Sequence, residues 1–194
     1  MKISASAPLA AIAAACFLFV TSPSAWAASD LEQKTDGSVQ KTIFVYGDSN
    51  TFGWVYEPKT KIVSRLPLKE TWPYQMSKAM GGKYRIEVDA LGGRTTDVDE
   101  PISTGSGEIP GATYNGLTTL PAALSANMPV DLVIIMLGTN DLKAGDHRQA
   151  KDVAQGLVNL TRCVVDARWQ SRTAYKAPRV LIVLPPPMDG DHTP

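Results

Sequence analysis

The sequence contains few cysteines, few histidines and no excess of either charge. Its 194 residues include two Cys, two His, and 19 Lys and Arg against 19 Asp and Glu, for a formal net charge of zero. Two cysteines are too few for a disulfide-held scaffold. A chain without net charge has no overall field that attracts phosphates, so nucleic-acid binding through bulk charge is excluded. Hydrophobic residues make up 44% of the chain, which is typical of a globular protein rather than a disordered one.

The sequence also lacks the patterns of metal and nucleotide sites. His147 and His192 are far apart, and no cluster of Cys or His accompanies them, so we expect no metal ion and no cofactor. Neither G-x-x-x-x-G-K-[ST] nor G-x-G-x-x-G occurs, which disfavours a flavodoxin-like nucleotide or phosphate binder. Any histidine base must be one of the two histidines, because histidine is the usual proton carrier near neutral pH.

Residues 1–27 have the features of an export signal. A short positive start precedes an apolar run over residues 8–20, and the Ala-Trp-Ala triplet at 25–27 gives the small-x-small pattern that signal peptidase requires. The run is well short of the ~20 residues that a membrane-spanning helix needs. We therefore predict a signal peptide (1–27), a flexible polar arm (28–41), and a periplasmic or secreted protein without membrane contact after cleavage. A lipoprotein with lipidated Cys16 is a weaker alternative, because Cys16 lies within the apolar run.

After residue 41, short apolar runs alternate with amphipathic segments. The predicted strands cover residues 42–46, 84–91, 130–137 and 179–184, and the predicted helices cover 72–80, 116–127 and 149–168. Pro121 would limit the start of the second helix to a position near that residue. The alternation predicts one α/β domain over residues 42–194, with a parallel sheet covered by helices and wound right-handed. Residues 97–115 are rich in Gly, Pro, Ser and Asp, which predicts a long loop of the kind that often serves function.

Small and polar residues follow three of the predicted strands, as GDSN at 47–50, LGGRTT at 91–96 and GTND at 138–141. In open parallel sheets, active sites form at the carboxyl ends of the strands. Ser49 can serve there as a nucleophile, although a lone serine in this position would more often cap a helix. The Gly93 N–H and the Asn140 side-chain amide can donate hydrogen bonds to an oxyanion, although Asn140 alone would be a turn or cap residue.

GDSN, the second glycine of GGRTT, and GTND resemble blocks I, II and III of the SGNH (GDSL-type) hydrolases. The resemblance covers about residues 42–188 and implies a flavodoxin-like three-layer α/β/α fold with a Ser-His-Asp triad. It makes Ser49 the nucleophile, with Gly93 and Asn140 in the oxyanion hole together with the serine N–H.

More narrowly, the segments GDSNTFGW, RTTDVDEP and DLVIIMLGTNDLK and the triple proline after the fourth strand resemble the arylesterase/acyltransferase branch. This likeness implies a serine esterase that hydrolyses or transfers small acyl groups such as acetyl, with a small-molecule ester as its partner. Trp54 and the 97–115 loop would line the acyl and alcohol pockets. A plain packing role is the alternative for Trp54.

The catalytic base is the part of the pattern that matches least well. The family places Asp and His in a D-x-x-H block after a fifth strand, and Asp189-Gly190-Asp191-His192 fits those letters. Seven residues after Pro187 are too few for another crossover, strand and helix. Asp189 and His192 are therefore a tentative dyad, and His147, near the start of a predicted helix, is a weaker candidate.

We expect a chain shortened at its C-terminus, without the fifth strand and last helix of the family. Such a chain would keep its nucleophile and oxyanion hole but have residual activity at best, because a serine without its histidine is a weak nucleophile. An uncovered edge strand would also lower its solubility. Two alternatives remain open: an inactive remnant of the hydrolase fold, and a non-catalytic domain that binds carbohydrate or acyl ligands.

Overall fold

The computed structural model describes residues 40–100, 109–143, 148–166 and 168–185. The predicted signal peptide and nearly all of the predicted arm lie outside these residues, so both segments stay predictions. The described residues form six β-strands and five α-helices. In chain order these are β1 (Thr42–Gly47), α1 (Ser49–Phe52), β2 (Trp54–Glu57), β3 (Ile62–Arg65), α2 (Trp72–Ala79), β4 (Arg85–Ala90), α3 (Gly116–Asn127), β5 (Leu132–Met136), α4 (Ala150–Val165), α5 (Arg168–Thr173) and β6 (Arg179–Ile182).

Four strands form one parallel sheet in the order β4-β1-β5-β6. Their order along the chain corresponds to 2-1-3-4, which is the start of the flavodoxin-like arrangement. All six residues of β1 are buried, because β1 lies inside the sheet with helices over both of its faces. The predicted strands are confirmed, each within two residues of its predicted bounds.

Alternate residues of the strands point to opposite faces of the sheet, and each face has its own core. On one face, Phe44 and Tyr46 pack with residues of α3 and α4 such as Leu120 and Leu160. The other face has a smaller core, in which Ile43, Val45 and Ile134 pack with Trp72, Met76 and Met80 in and just after α2. Helices thus cover both faces, which confirms the predicted three-layer α/β/α fold.

Helix α3 covers Gly116–Asn127, which confirms the predicted helix, but the expected limit on its start near Pro121 is wrong. Asn115 precedes the helix and its side chain accepts a hydrogen bond from the Thr118 N–H at 3.1 Å, which fixes the first turn upstream of the proline. The buried Tyr46 hydroxyl lies 2.9 Å from the Gly116 carbonyl oxygen and donates to it. The missing N–H of Pro121 therefore costs a hydrogen bond inside the helix but does not set its start.

The predicted helix over 149–168 is confirmed in its main part as α4, whose first turn carries a capping box between Gln149 and Asp152. It ends at Val165, and the short helix α5 follows as a separate element. No helix among the described residues has both the length and the apolarity to cross a membrane.

Strands β2 and β3 form an antiparallel hairpin that the sequence pattern did not predict. Its residues are largely exposed, including the apolar Trp54, Tyr56, Ile62 and Val63. A strand with no buried face lacks the alternation of apolar and polar residues that identifies strands in a sequence. The Trp54 and Tyr56 rings stack on one face of β2, with centroids 6.1 Å apart.

Candidate active site

Ser49 lies at the carboxyl end of β1, where the chain turns into α1. Asp48 is the N-cap of this one-turn helix, because its Oδ1 accepts a hydrogen bond from the Asn50 N–H at 2.9 Å. Ser49 is therefore not the cap, and its half-buried side chain remains available for chemistry. The turn needs a glycine before it, since a Cβ on Gly47 would lie 2.1 Å from Thr51 Oγ1.

The loop after β4 brings two glycines next to Ser49. A Cβ built on Gly92 would lie 3.9 Å from the Cβ of Ser49, in ordinary contact. Gly93 has φ +88°, in the left-handed region, and a Cβ there would lie 3.3 Å from the Tyr114 ring. Backbone conformation and neighbour both favour glycine at position 93.

Asn140 starts a short 3-10 turn after β5 and is buried. Its Nδ2 donates a hydrogen bond to the Arg94 carbonyl oxygen at 2.9 Å. A side-chain amide carries two N–H groups, so one remains for a ligand. The neighbours of Ser49 and Asn140 are also in contact, because Asn50 Nδ2 donates to Thr139 Oγ1 at 3.2 Å. The structure thus brings the ends of β1, β4 and β5 together around Ser49.

Two backbone donors at this corner have no acceptor among the residues that the structure describes. Within the described residues, neither the Ser49 N–H nor the Gly93 N–H has a hydrogen-bond acceptor. Together with the second N–H of Asn140, they are the three donors that the resemblance to the SGNH hydrolases implies for the oxyanion hole. A developing negative charge on an ester oxygen is stabilised by preorganised donors of this kind, each worth about 3 kcal/mol.

Asp141 is a fully buried carboxylate directly after Asn140. It accepts hydrogen bonds from the Thr96 backbone N–H at 2.9 Å and from the Thr96 hydroxyl at 2.5 Å. Arg148 Nη1 lies 3.2 Å from its Oδ1. Burial raises the pKa of Asp141, although the hydrogen bonds from Thr96 and the charge of Arg148 act in the opposite direction.

Arg94 follows Gly93 in the loop after β4 and is almost fully buried. Its Nη1 donates to the Gly47 carbonyl oxygen at 3.1 Å, and its Nη2 pairs with Asp89 at 2.6 Å. The guanidinium also stacks over the Tyr46 ring, 4.0 Å from the centroid. Arg94 therefore ties the ends of β1 and β4 together below the site.

Asp48 is a second fully buried carboxylate next to Ser49. Its Oδ2 has no hydrogen-bond partner among the described residues. Burial raises the pKa of Asp48, against the lowering effect of the hydrogen bond from Asn50.

Comparison with known proteins identifies the family. Residues 45–194 match the family model described as the GDSL-like Lipase/Acylhydrolase family. The chain belongs to this family. The match includes the three segments that carry Ser49, Gly93 and Asn140, so the GDSL-like family assignment and the corner described above rest on the same part of the chain. No curated protein matches the chain.

Solved structures of esterases are similar to the chain. Est24, a carbohydrate acetylesterase from Sinorhizobium meliloti, is 37% identical with a TM-score of 0.67, and the match covers 76% of this chain and 65% of that one. The M. smegmatis aryl esterase is 36% identical, with the same TM-score of 0.67 and the same coverage of 76% and 65%. A putative arylesterase from Agrobacterium tumefaciens is 38% identical with a TM-score of 0.62, covering 76% and 64%. The chain thus spans about 65% of the length of these structures.

Some of the predicted site residues are not placed at this corner. Asp189, His192 and His147 lie outside the described residues, so their assignment as base candidates in this GDSL-like chain stays a prediction. Trp54 is described, and its side chain is 48% exposed on the β2–β3 hairpin. It stacks on Tyr56, and both its packing role and its contact with a substrate stay predictions.

No group of three or more His, Cys, Asp or Glu that could hold a metal ion occurs in the part of the chain that the structure describes. Sequence reasoning missed Asp141, Thr96 and Arg94 as residues that support the GDSL-like site. Their positions in the sequence could have indicated them, because Asp141 and Arg94 directly follow the predicted donors Asn140 and Gly93, and Thr96 is three residues after Gly93. A charged residue that is buried in such a loop must be paired.

Proposed function

We propose that the chain is a serine esterase that hydrolyses small acyl esters, of the aryl-ester or acetylated-carbohydrate type, through an acyl-serine intermediate. The observation that carries the proposal is the corner at which Ser49 lies beside the Gly92-Gly93 pair and the Asn140 segment. The similar structures with 36% and 37% identity are an aryl esterase and a carbohydrate acetylesterase, which supports this substrate class.

The geometry supports a two-step reaction. Ser49 Oγ bonds to the acyl carbon while its proton passes to the base, and the carbonyl oxygen becomes an oxyanion. The N–H groups of Ser49, Gly93 and Asn140 stabilise this oxyanion. The bond to the alcohol then breaks, and the alcohol leaves with the proton. Water attacks the acyl-serine, which releases the acid and restores the Ser49 hydroxyl. An alcohol in place of water gives acyl transfer, which we include in the proposal.

The test is hydrolysis of p-nitrophenyl acetate by the purified 194-residue chain. We expect release of p-nitrophenol above buffer for the wild type, and a fall to the buffer rate for Ser49→Ala, because the proposed acyl intermediate forms on Ser49 Oγ. Ser64→Ala is the matched control, since Ser64 is exposed on β3. Full activity in Ser49→Ala would contradict the proposal, as would equal losses in both variants.

The same assay tests the tentative dyad. If His192 accepts the Ser49 proton, His192→Ala falls to the rate of Ser49→Ala, because the triad residues act as a unit. A His192→Ala variant with the wild-type rate excludes His192 as the base, and His147→Ala then becomes the next variant to assay.

We also propose that the protein is exported. The support is the pattern of residues 1–27, with an apolar run followed by the Ala-Trp-Ala triplet. Expression with and without these residues, followed by cell fractionation, tests the proposal. We expect the longer chain outside the cytoplasm, processed after Ala27, and the shorter one inside it. Unprocessed chain retained in the cytoplasm would be the opposite result.

A further inference from the structure

The exits of β4 and β5 contact each other although their strands do not pair. In the sheet order β4-β1-β5-β6, β1 separates them. The contact forms because the chain after β1 turns at once into α1, so the two loops meet across the carboxyl end of β1. Two of the three proposed oxyanion donors, Gly93 and Asn140, lie on these loops. Their separation therefore depends on what joins one loop to the other.

Next to the proposed donors, two sets of hydrogen bonds join the loops, and they run in opposite directions. Farther along both loops, Lys143 Nζ also donates to Glu100 Oε1. From the β5 side, Asn140 Nδ2 donates to the Arg94 carbonyl oxygen at 2.9 Å. From the β4 side, the Thr96 N–H lies 3.1 Å and 2.9 Å from the two oxygens of Asp141, and the Thr96 hydroxyl donates as well. Asp141 is adjacent to Asn140, and Thr96 is three residues from Gly93. The carboxylate thus holds both loops within one short span.

Asp141 is also anchored from outside the loops. Arg148 Nη1 contacts Asp141 at 3.2 Å and Asp97 at 2.7 Å, and Arg148 Nη2 donates to the Asp152 carbonyl oxygen at 2.7 Å in the first turn of α4. The charge of Arg148 compensates that of the buried carboxylate. A buried ion pair is no more stabilising than well-packed apolar residues of similar volume, so fold stability alone does not call for it here.

We propose that Asp141 is a positioning residue, which sets the distance between Gly93 and Asn140 in the oxyanion hole. The inference rests on the proposed function of the site. The inference goes beyond the proposed function because Asp141 touches neither the nucleophile nor the oxyanion position. Asp141 acts through Thr96 on one side and through Asn140 on the other. A displacement of about 1 Å at such a site is enough to cost about 100-fold in rate.

The first test is Asp141→Asn, which keeps the side-chain volume. Its amide nitrogen would face donors on Thr96 or Arg148, so one side of the link is lost. We expect kcat on p-nitrophenyl acetate to fall about 10- to 100-fold with little change in KM, because an oxyanion hole acts mainly in the transition state. An Asp141→Asn variant with the wild-type kcat would overturn the proposal.

Thr96 variants give a milder test if Asp141→Asn folds poorly. Thr96→Val removes the hydroxyl but keeps the backbone N–H, so we expect part of the loss in kcat. Thr96→Ser keeps the hydroxyl, and we expect it to restore kcat to near the wild-type value. Equal kcat for the Val and Ser variants would show that the hydrogen bond to Asp141 does not matter.

Asp131→Asn is the matched control for a merely structural effect. Asp131 Oδ2 accepts a hydrogen bond from the Thr42 N–H at 2.8 Å, so it also joins two segments through a carboxylate and a backbone amide. This contact lies at the amino ends of β1 and β5, away from Ser49. We expect Asp131→Asn to lower stability without lowering kcat. A loss of kcat equal to that of Asp141→Asn would make Asp141 a general stabilising residue and contradict the proposal.

A readout without turnover separates this inference from the proposed function. In ¹H–¹⁵N spectra of the wild-type chain and its variants, Asp141→Asn should shift the Gly93 backbone signal and the Asn140 side-chain signal, whereas Asp131→Asn should shift neither. Unchanged Gly93 and Asn140 signals in Asp141→Asn would overturn the positioning role. If the wild-type chain has no esterase activity but Asp141→Asn still shifts the Gly93 and Asn140 signals, the proposed function is contradicted and the positioning role of Asp141 is supported.

Discussion

Both the backbone conformation and a neighbouring side chain restrict position 93 to glycine. Its φ of +88° is unfavourable for any residue with a Cβ, and a Cβ there would also lie 3.3 Å from the Tyr114 ring. We expect Gly93→Ala to lower the free energy of unfolding by about 1–2 kcal/mol through the backbone conformation alone. Tyr114 must also move by a few tenths of an ångström. Chemical denaturation measures the sum of both effects.

Gly81→Ala is the matched control for the backbone effect. Gly81 has φ +64°, and a Cβ there would meet nothing within 4 Å. Any further loss in Gly93→Ala therefore comes from the contact with Tyr114. We also expect kcat to fall about 3- to 10-fold in Gly93→Ala only, because a shifted N–H weakens a donor bond worth about 3 kcal/mol. Equal stability and equal kcat in the two variants would show that the Gly93 loop tolerates a side chain.

The reactive residues of the site could be predicted from the sequence, but the residues that hold them in place could not. Ser49, Gly93 and Asn140 follow predicted strands and have the chemistry of a nucleophile and two donors, so a local pattern identifies them. The Asp141–Thr96 contact joins residues 45 positions apart. It depends on two strand exits meeting across β1, and no local pattern contains that information. Its detection required the sheet order.

At the scale of elements, the buried strands could be predicted from the sequence and the exposed ones could not. Strands β1 and β5 are buried, and their continuous apolar runs predicted them within two residues. The exposed β2–β3 hairpin has no such run and was missed. Pro121 does not limit the start of α3, although proline is a local signal for one, because the Asn115 cap and the Tyr46 hydrogen bond to Gly116 together fix the first turn upstream. Gly116 is needed there, since a Cβ would lie 2.6 Å from the Thr95 carbonyl oxygen.

At the scale of the whole molecule, Asp97 connects the loop after β4 to helix α4. Its side chain accepts hydrogen bonds from Arg148 at 2.7 Å and from Asn159 at 3.0 Å. Burial alone would raise the pKa of Asp97, but the hydrogen bonds from Arg148 and Asn159 and the charge of Arg148 outweigh it and lower the pKa. The ionised form of Asp97 is therefore favoured by folding, in contrast to Asp48 and Asp141, whose pKa values burial raises.

This difference in sign predicts how Asp97 affects stability as a function of pH. Because the pKa is lower in the folded state, the contribution of Asp97 is present above the unfolded-state pKa of about 3.9 and is lost as the pH falls through the lower folded-state value. We expect Asp97→Asn to be about 1–3 kcal/mol less stable than the wild type at pH 7, with the gap narrowing below about pH 4. Denaturation at pH 7, 5 and 3.5 measures the gap. Glu87→Gln is the control, since its ion pair with Arg85 is exposed and should contribute no more than about 1 kcal/mol. A gap for Asp97→Asn that stayed constant down to pH 3.5 would show that the side chain packs the loop against α4 without its charge.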